Sequence, residues 1–446
     1  MAYKSSRPIV AVVGRPNVGK STFFNVMAGS NISIVKDTPG ITRDRIYADV
    51  SWLNYHFTLI DTGGIEPDSK DIILSQMRAQ AQIAIDTADV ILFMVDVRQG
   101  LVDADGKVAD MLRRSQKPVL LVVNKVDAPA KQMADVYEFY NLGIGDPWPI
   151  SSVNRTGLGD MLDELVKYFP PQSTEEEEDD RVRVAIVGKP NVGKSSLINR
   201  LLGEDRLIVS DIAGTTRDAV DAEVTYHGKS YIFIDTAGVR RKNKIKEDLE
   251  RFMIIRAVSA IERVDVVVLL IDATEGITEQ DAKIAGIAHE RGKAAIVAVN
   301  KWDAVEKDDK TIYRFQEKIR QTLSFMSYAE IIFISALTGQ RLHKLYETID
   351  MAAANHAMRI STGVLNEIMT EAVAMQQPPT DKGKRLRLYY ITQVSVKPPT
   401  FVIFVNYKEL MHFSYTRYIE NKIRDTFGFR GTPLHFIIRE RREKEQ

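Results

Sequence analysis

The chain of 446 residues contains no cysteine. Disulfides, thiolate metal sites, Cys nucleophiles and prenyl or palmitoyl anchors are excluded, and a reducing compartment is expected. Net charge is absent as well, with 60 Lys and Arg against 60 Asp and Glu. The chain as a whole is therefore no polyanion binder, and any nucleic-acid surface has to be local. Apolar runs such as Val266–Ile271 are strand-length, far short of a membrane span. The start, MAYKSS, shows neither a signal-peptide pattern nor a myristoylation glycine. A cytoplasmic protein without a membrane anchor is expected. An apolar content of 44% supports sizeable cores, and the length suggests roughly two to four domains.

What is present is a repeat. Gly14–Thr22 reads GRPNVGKST and Gly188–Ser196 reads GKPNVGKSS, an offset of 174. The pairs Asp37/Asp211, Thr42/Thr216, Asp61/Asp235 and Gly64/Gly238 keep that offset, and Asp96/Asp272 and Asn124/Asn300 differ by 176. A near-constant offset over so long a stretch marks a duplicated domain. Each copy alternates short apolar runs with helical stretches. The runs are Ile9–Val13, Phe57–Ile60, Val90–Val95 and Val119–Val123, then Val182–Val187, Tyr231–Ile234, Val266–Ile271 and Ala295–Val299. Continuous apolar strands between helices imply a parallel sheet covered on both faces.

Pro170–Asp180, PPQSTEEEEDD, lies between the copies. It reads as an extended solvated linker, with an acidic lure for a basic partner as the alternative. After about Ala357 the pattern changes. A helix is expected over Thr362–Met375, with Val364, Leu365, Ile368, Met369, Ala372 and Val373 on one face. Strands Leu386–Val394 and Phe401–Val405, a helix Tyr415–Phe427 and a strand Leu434–Ile438 complete a small α+β domain. The expected divisions are 1–169, 170–180, 181–356 and 357–446.

The GxxxxGK[ST] spacing has a mechanism: backbone amides of a glycine-rich turn, closing into a helix N-terminus, wrap phosphates. The two loops are Gly14, Arg15, Pro16, Asn17, Val18, Gly19, Lys20 and Ser21, and Gly188, Lys189, Pro190, Asn191, Val192, Gly193, Lys194 and Ser195. Gly19 and Gly193 permit close backbone approach. Lys20 and Lys194 place a cation on the β- and γ-phosphates, and Ser21 and Ser195 offer a hydroxyl to Mg²⁺. At the end of the next apolar strand come Asp61, Thr62, Gly63, Gly64 and Ile65, and Asp235, Thr236, Ala237, Gly238 and Val239. There the Asp can hold Mg²⁺ through water, and the Gly64 or Gly238 amide can reach the γ-phosphate. Thr42 and Thr216 sit in loops where a switch threonine completes the Mg²⁺ shell.

Downstream lie Asn124, Lys125 and Asp127, and Asn300, Lys301 and Asp303. A carboxylate at the fourth position accepts from guanine N1–H and N2–H. Adenine would leave a buried Asp unpaired, and such a mismatch discriminates by roughly 10⁴–10⁵. Ser335 and Ala336 close the second set with backbone donors to guanine O6, and the first copy has Ser151 and Ser152 there. Two GTP/GDP pockets are expected.

In order and spacing these elements resemble the translation-factor-type GTPases. Two such domains followed by a small C-terminal domain resemble, over essentially the whole chain, the Der (EngA) family of bacterial ribosome-assembly GTPases. The resemblance implies two Era-like P-loop domains with a KH-like domain. It also implies GTP-dependent maturation of the large (50S) ribosomal subunit through contacts with its rRNA. The alternative reading is a GTP-dependent switch acting on a non-ribosomal RNA or protein. A monomer is expected.

Ile65 and Val239 stand where Ras-like enzymes carry a water-orienting Gln, so backbone groups and metal must position the water. Arg43 and Arg217 read as local salt-bridge partners or as arginine fingers. Related GTPases without that Gln use a loop Asn to hold K⁺, which assigns Asn17 and Asn191 a K⁺ ligand role; the alternative is a turn-capping Asn. From Ala357 onward there are 15 Lys and Arg against 9 Asp and Glu. Arg385 and Arg387 are expected on one strand face with Leu386 and Leu388 on the other. That face suits an RNA backbone or simply solvates the surface. Gly428–Gly431, GFRG, mimics a KH clamp but falls between a helix and a strand, so it reads as a helix-terminal glycine turn.

Overall fold

The computed structural model describes residues 7–29, 47–62, 70–169, 181–204, 221–234, 249–381 and 383–441. In the first lobe the strands are β1 (Ile9–Gly14), β2 (Tyr47–Trp52), β3 (Tyr55–Asp61), β4 (Val90–Asp96), β5 (Val119–Asn124) and β6 (Pro147–Pro149). They form one sheet of order β2-β3-β1-β4-β5-β6. All pairs are parallel except β2 with β3. Helices α1 (Lys20–Gly29), α2 (Lys70–Thr87), α3 (Asp103–Arg114), α4 (Pro129–Tyr137) and α5 (Leu158–Leu165) connect them. Strands β1 and β4 are buried at every residue, which is why they read as unbroken apolar runs and not as alternating ones.

The second lobe repeats the plan. Its elements are β7 (Val182–Val187), α6 (Lys194–Glu204), β8 (Ala222–Tyr226), β9 (Lys229–Ile234), α7 (Leu249–Glu262), β10 (Val266–Asp272) and α8 (Glu279–Glu290). They continue with β11 (Ala294–Asn300), α9 (Thr311–Thr322), β12 (Glu330–Phe333) and α10 (Leu342–Ala357). The sheet order is β12-β11-β10-β7-β9-β8, with β8 antiparallel to β9. One apolar cluster runs through both lobes, from Met77 and Ala84 to Ile255 and Val258.

The C-terminal domain holds α11 (Thr362–Met375), the short β13 (Thr380–Asp381) and β14 (Lys384–Arg385), β15 (Leu388–Ser395), β16 (Thr400–Val405), α12 (Phe413–Phe427) and β17 (His435–Glu440). β15 pairs antiparallel and β17 parallel with β16. Leu365, Met369, Ile419 and Ile423 of the helices pack on Ile391, Phe401 and Ile403 of the sheet.

Two expectations need correction here. Leu386–Val394 is not one strand. Leu386 donates its amide to Pro379 and Arg387 to the Asn406 side chain, so pairing breaks between β14 and β15. The alternation of burial survives, with Leu386 buried and Arg385 and Arg387 exposed. Val364 is 41% exposed, because it lies in the first turn at the margin of the buried stripe.

Gly428 ends α12 in the left-handed conformation, φ 77°, as a helix-terminal glycine should. The rest of GFRG docks on the second lobe. The Gly431 amide donates to the Tyr328 carbonyl and its carbonyl accepts from Ala295, both at 2.8 Å. A Cβ on Gly431 would stand 2.8 Å from the Ala352 Cβ, so the close approach needs glycine. Arg430 forks onto Glu330 at 2.7 and 2.9 Å. The motif that mimics an RNA clamp is an interdomain joint.

Candidate functional site

Each phosphate loop sits at the carboxyl end of its central strand, where β1 passes into α1 and β7 into α6. Open α/β sheets bind ligands at that edge. Gly19 and Gly193 both take φ 97°. A Cβ on either would lie 2.3 Å from the side-chain nitrogen of Asn124 or Asn300. Asn17 and Asn191 also share a left-handed φ of 64°, a conformation that Asn tolerates better than most residues.

The base loop is tied to the phosphate loop identically in both copies. Asn124 Nδ2 donates to the Val18 carbonyl and Asn300 Nδ2 to that of Val192, each at 2.8 Å. The Asn oxygens accept from the amides of Ser152 (3.0 Å) and Ala336 (2.9 Å). The donors expected for guanine O6 are thus held by the asparagines. Lys125 Nζ donates to Asp96 Oδ2 at 2.7 Å and to the Asn17 carbonyl at 2.6 Å, and Lys301 to Asp272 at 2.5 Å. Asp96 and Asp272 are nearly fully buried and orient those lysines. The repeat flagged both acids without giving them a role.

Lys20 Nζ donates to the carbonyls of Gly14 (2.6 Å) and Arg15 (2.7 Å). Lys194 does the same with Gly188 and Lys189, both at 2.7 Å. Burial pulls the Lys20 ammonium down to about 8; Asp61 opposes the shift and Arg15 adds to it. Ser21 Oγ lies 3.4 Å from Asp61 Oδ2. Thr62 turns its hydroxyl inward to the Val12 carbonyl at 2.5 Å, so its side chain braces β1.

Asp127 is exposed at the surface, as is Asp303. Its Oδ1 accepts from Ser151 Oγ at 2.5 Å and Asn154 Nδ2 at 3.1 Å, and Arg98 donates to Oδ2. The Ser151 hydrogen bond, with Arg98 and Lys125 adding to it against desolvation, holds its carboxyl below the usual range. A cleft of about 190 Å³ opens here, walled by Gly19, Thr22, Arg98, Lys125 and Val153. Arg98, Val153 and Asn154 belong to no motif, and only their placement in the fold exposes them. Thr42, Gly63, Gly64, Ile65, Thr216, Asp235, Thr236, Ala237, Gly238 and Val239, with Arg43 and Arg217, lie outside the described residues.

A phosphate loop at a strand-to-helix turn, bolted to a base loop and built twice, defines a tandem P-loop GTPase. Residues 9–125 and 183–301 each match the family described as 50S ribosome-binding GTPase, and residues 359–439 match the KH-domain-like C-terminal region of EngA bacterial GTPase enzymes. "GTPase Der" of Agathobacter rectalis is 76% identical over 99% of this chain and 100% of its own length. That of Acetivibrio thermocellus is 61% identical over 98% and 100%. Among solved structures, Era in complex with MgGDPNP and nucleotides 1506–1542 of 16S ribosomal RNA matches at 26% identity with TM-score 0.31, covering 59% of this chain and 94% of that one. The chain belongs to the GTPase Der (EngA) family, whose members bind and hydrolyse GTP. Among the described residues no helix is long and apolar enough to cross a membrane.

Proposed function

We propose that this GTPase is a nucleotide-switched factor in assembly of the large ribosomal subunit, acting in the cytoplasm as a monomer of two G domains (1–169 and 181–356), an acidic linker (170–180) and a KH-like domain (357–446). The twofold match to a 50S ribosome-binding family carries the reading. The exposed Lys384, Arg385 and Arg387 add an electrostatic footing for rRNA phosphates.

In each pocket the loop amides and Lys20 or Lys194 receive the phosphates. Asp127 or Asp303 receives the guanine, and Ser151–Ser152 or Ser335–Ala336, braced by Asn124 or Asn300, line the base side. The side-chain nitrogen and oxygen of Asn124 and Asn300 keep base and phosphate loops in register. The Ser21 hydroxyl beside the Asp61 carboxylate makes a pair of hard oxygens that fits Mg²⁺, with Thr42 completing the set. Ser195, Thr216 and Asp235 would serve likewise in the second pocket. Bound there, Mg²⁺ supplies positive charge against the β- and γ-phosphate oxygens. Gly64 and Gly238 offer amides to the γ-phosphate. Asn17 and Asn191, both left-handed and exposed, are the K⁺ ligands of this reading.

Co-sedimentation with ribosomal particles in GDP, GTP and a non-hydrolysable analogue tests the assignment, using the parent, Lys20→Ala and Lys194→Ala. Nucleotide-dependent binding to the large subunit is expected, and no binding to any particle overturns it. Faster GTP turnover in K⁺ than in Na⁺ at equal ionic strength is expected, and equal rates remove the K⁺ role.

A further inference from the structure

The second residue of each phosphate loop is a cation, Arg15 or Lys189, and neither side chain is free to serve the ligand. Arg15 Nε donates to Asp105 Oδ1 at 2.8 Å and Nη1 to Gln99 Oε1 at 2.7 Å. Lys189 pairs with Glu275. Gln99 and Glu275 are the same position of the repeat, offset by 176, and so are Asp105 and Asp281. Both of these aspartates are fully buried.

The two copies wire the same four positions differently, for a reason visible in the sequence. Asp281 spends its Oδ2 on the amide and hydroxyl of Thr278, at 3.0 and 2.7 Å, closing the capping box of α8. Its counterpart Asp105 stands three residues after Val102, which has no hydroxyl to offer. Asp105 therefore keeps only the Val102 backbone amide at the helix start and takes the loop arginine as well. In the second copy the loop cation goes to the acidic Glu275, where the first copy has the neutral Gln99.

We propose that Asp105, with Gln99, is a positioning residue for the first nucleotide site, holding the phosphate loop through Arg15, and that Glu275 holds the second loop through Lys189. This rests on the loops being the nucleotide sites. The connection to the ligand is short. The Arg15 carbonyl is one of two acceptors that aim the Lys20 ammonium, and anchoring the Arg15 side chain fixes that carbonyl. A loop without its anchor samples other conformations, and the nucleotide must first select the competent one. Affinity falls, while a bound phosphate re-forms the loop, so turnover of the loaded site is kept.

The test uses the full chain with the second site silenced by Lys194→Ala, reading fluorescent GDP affinity, KM and kcat at the first site and the melting temperature of the empty protein. Asp105→Asn, a step from a charge-assisted to a neutral hydrogen bond, weakens GDP by about five- to tenfold with kcat held. Arg15→Lys, whose single ammonium cannot span Asp105 and Gln99 as the guanidinium does, weakens GDP by about as much. Arg15→Lys combined with Gln99→Glu copies the second wiring and recovers affinity to within about twofold. Affinity within twofold of the parent in both single variants overturns the proposal, as does a double variant as weak as Arg15→Lys alone. Lys20→Ala separates the two levels: if it leaves first-site binding intact, the loop assignment itself fails.

Discussion

Thr58 Oγ1 donates to Glu262 Oε1 at 3.0 Å, joining β3 of the first GTPase lobe to the last turn of α7 in the second. Glu262 also meets Arg291 Nε at 2.9 Å. Arg291 goes on to Asp49, with its guanidinium 5.1 Å from the centre of the Tyr47 ring. Beside this cluster Ser259 Oγ donates to the Thr87 carbonyl at 3.1 Å. β2 starts five residues after Thr42, and α7 starts eleven after Gly238. The seam therefore lies close in sequence to Thr42 and Gly238, the residues proposed to sense the γ-phosphate.

Arg291 and Glu262 are each 5% exposed, so removing Arg291 leaves a buried carboxylate with, among the described residues, only the neutral Thr58 hydroxyl donating to its side chain. Arg291→Met should cost on the order of 3 kcal/mol, within the range for breaking a buried pair. Adding Glu262→Gln, which still accepts from Thr58, should restore most of it. Thermal unfolding of the single and double variants checks this, and a single variant as stable as the parent contradicts it.

Lys20 gives the first site a pH signature. With its pKa lowered to about 8, the ammonium is charged below that value and neutral above it in the empty site. Bound phosphate favours the charged form, so GDP affinity at the first site should be flat below pH 8 and fall about tenfold per unit above it. For the empty protein the sign is opposite. Between about 8 and 10.5 the unfolded chain holds a proton that the folded one has released, so this group's contribution to stability rises with pH. Titration of GDP affinity in the Lys194→Ala background should show the break, and Lys20→Arg, whose guanidinium stays charged, should abolish it.

The joint between the second lobe and the C-terminal domain is built on neutral histidines. Burial lowers His289 to about 4, with His435 and Arg424 adding to the shift. It lowers His356 to about 3; Asp265 opposes the shift, and Lys293, Lys397 and His435 add to it. His289 Nδ1 sits 3.1 Å from the Tyr328 hydroxyl and His356 Nδ1 2.8 Å from Thr432 Oγ1. Both folded values lie below that of a free imidazole. The unfolded or undocked chain therefore binds more protons below about 6.5, and stability of the joint falls as pH drops from there toward 4. Hydrogen exchange at the Ala295 and Gly431 amides, corrected for its intrinsic pH dependence, should lose protection at pH 5 relative to pH 7.5. Unchanged protection argues against the histidines.

Much of this arrangement is written in local pattern. Strands buried on both faces, β1, β4, β10 and β11, show as unbroken apolar runs, and the loops show as fixed spacings with a chemical reason. The edge strands β2 and β8 do not, since YADVSW and AEVTY are half exposed and their mixed composition matches no single period. Nor does Arg98, Asp105 or Arg291. Each is an ordinary charged residue until the fold brings a partner from 29, 90 or 242 positions away. Asp127 is marked by its spacing, but its contacts with Arg98 and Asn154 come only with the fold.

That same carboxylate gives the sharpest test of base recognition. Guanine presents two donors, N1–H and N2–H, and the Asp127 oxygens are two acceptors. Asp127→Asn replaces one acceptor by an NH₂ donor, which faces N2–H donor to donor. Two hydrogen bonds to a charged group, each about 1.5–3 kcal/mol, are lost or reversed, so GDP affinity at the first site should fall at least about a hundredfold. Xanthine carries a carbonyl in place of the 2-amino group, so the new NH₂ has an acceptor and the first site should prefer XDP. The second site keeps Asp303 and should still take GDP. One variant would then load its two pockets with different nucleotides, measurable as independent binding of labelled XDP and GDP to the same chain. Loss of GDP from both sites, or no gain for XDP, would show that Asp127 does not read the base.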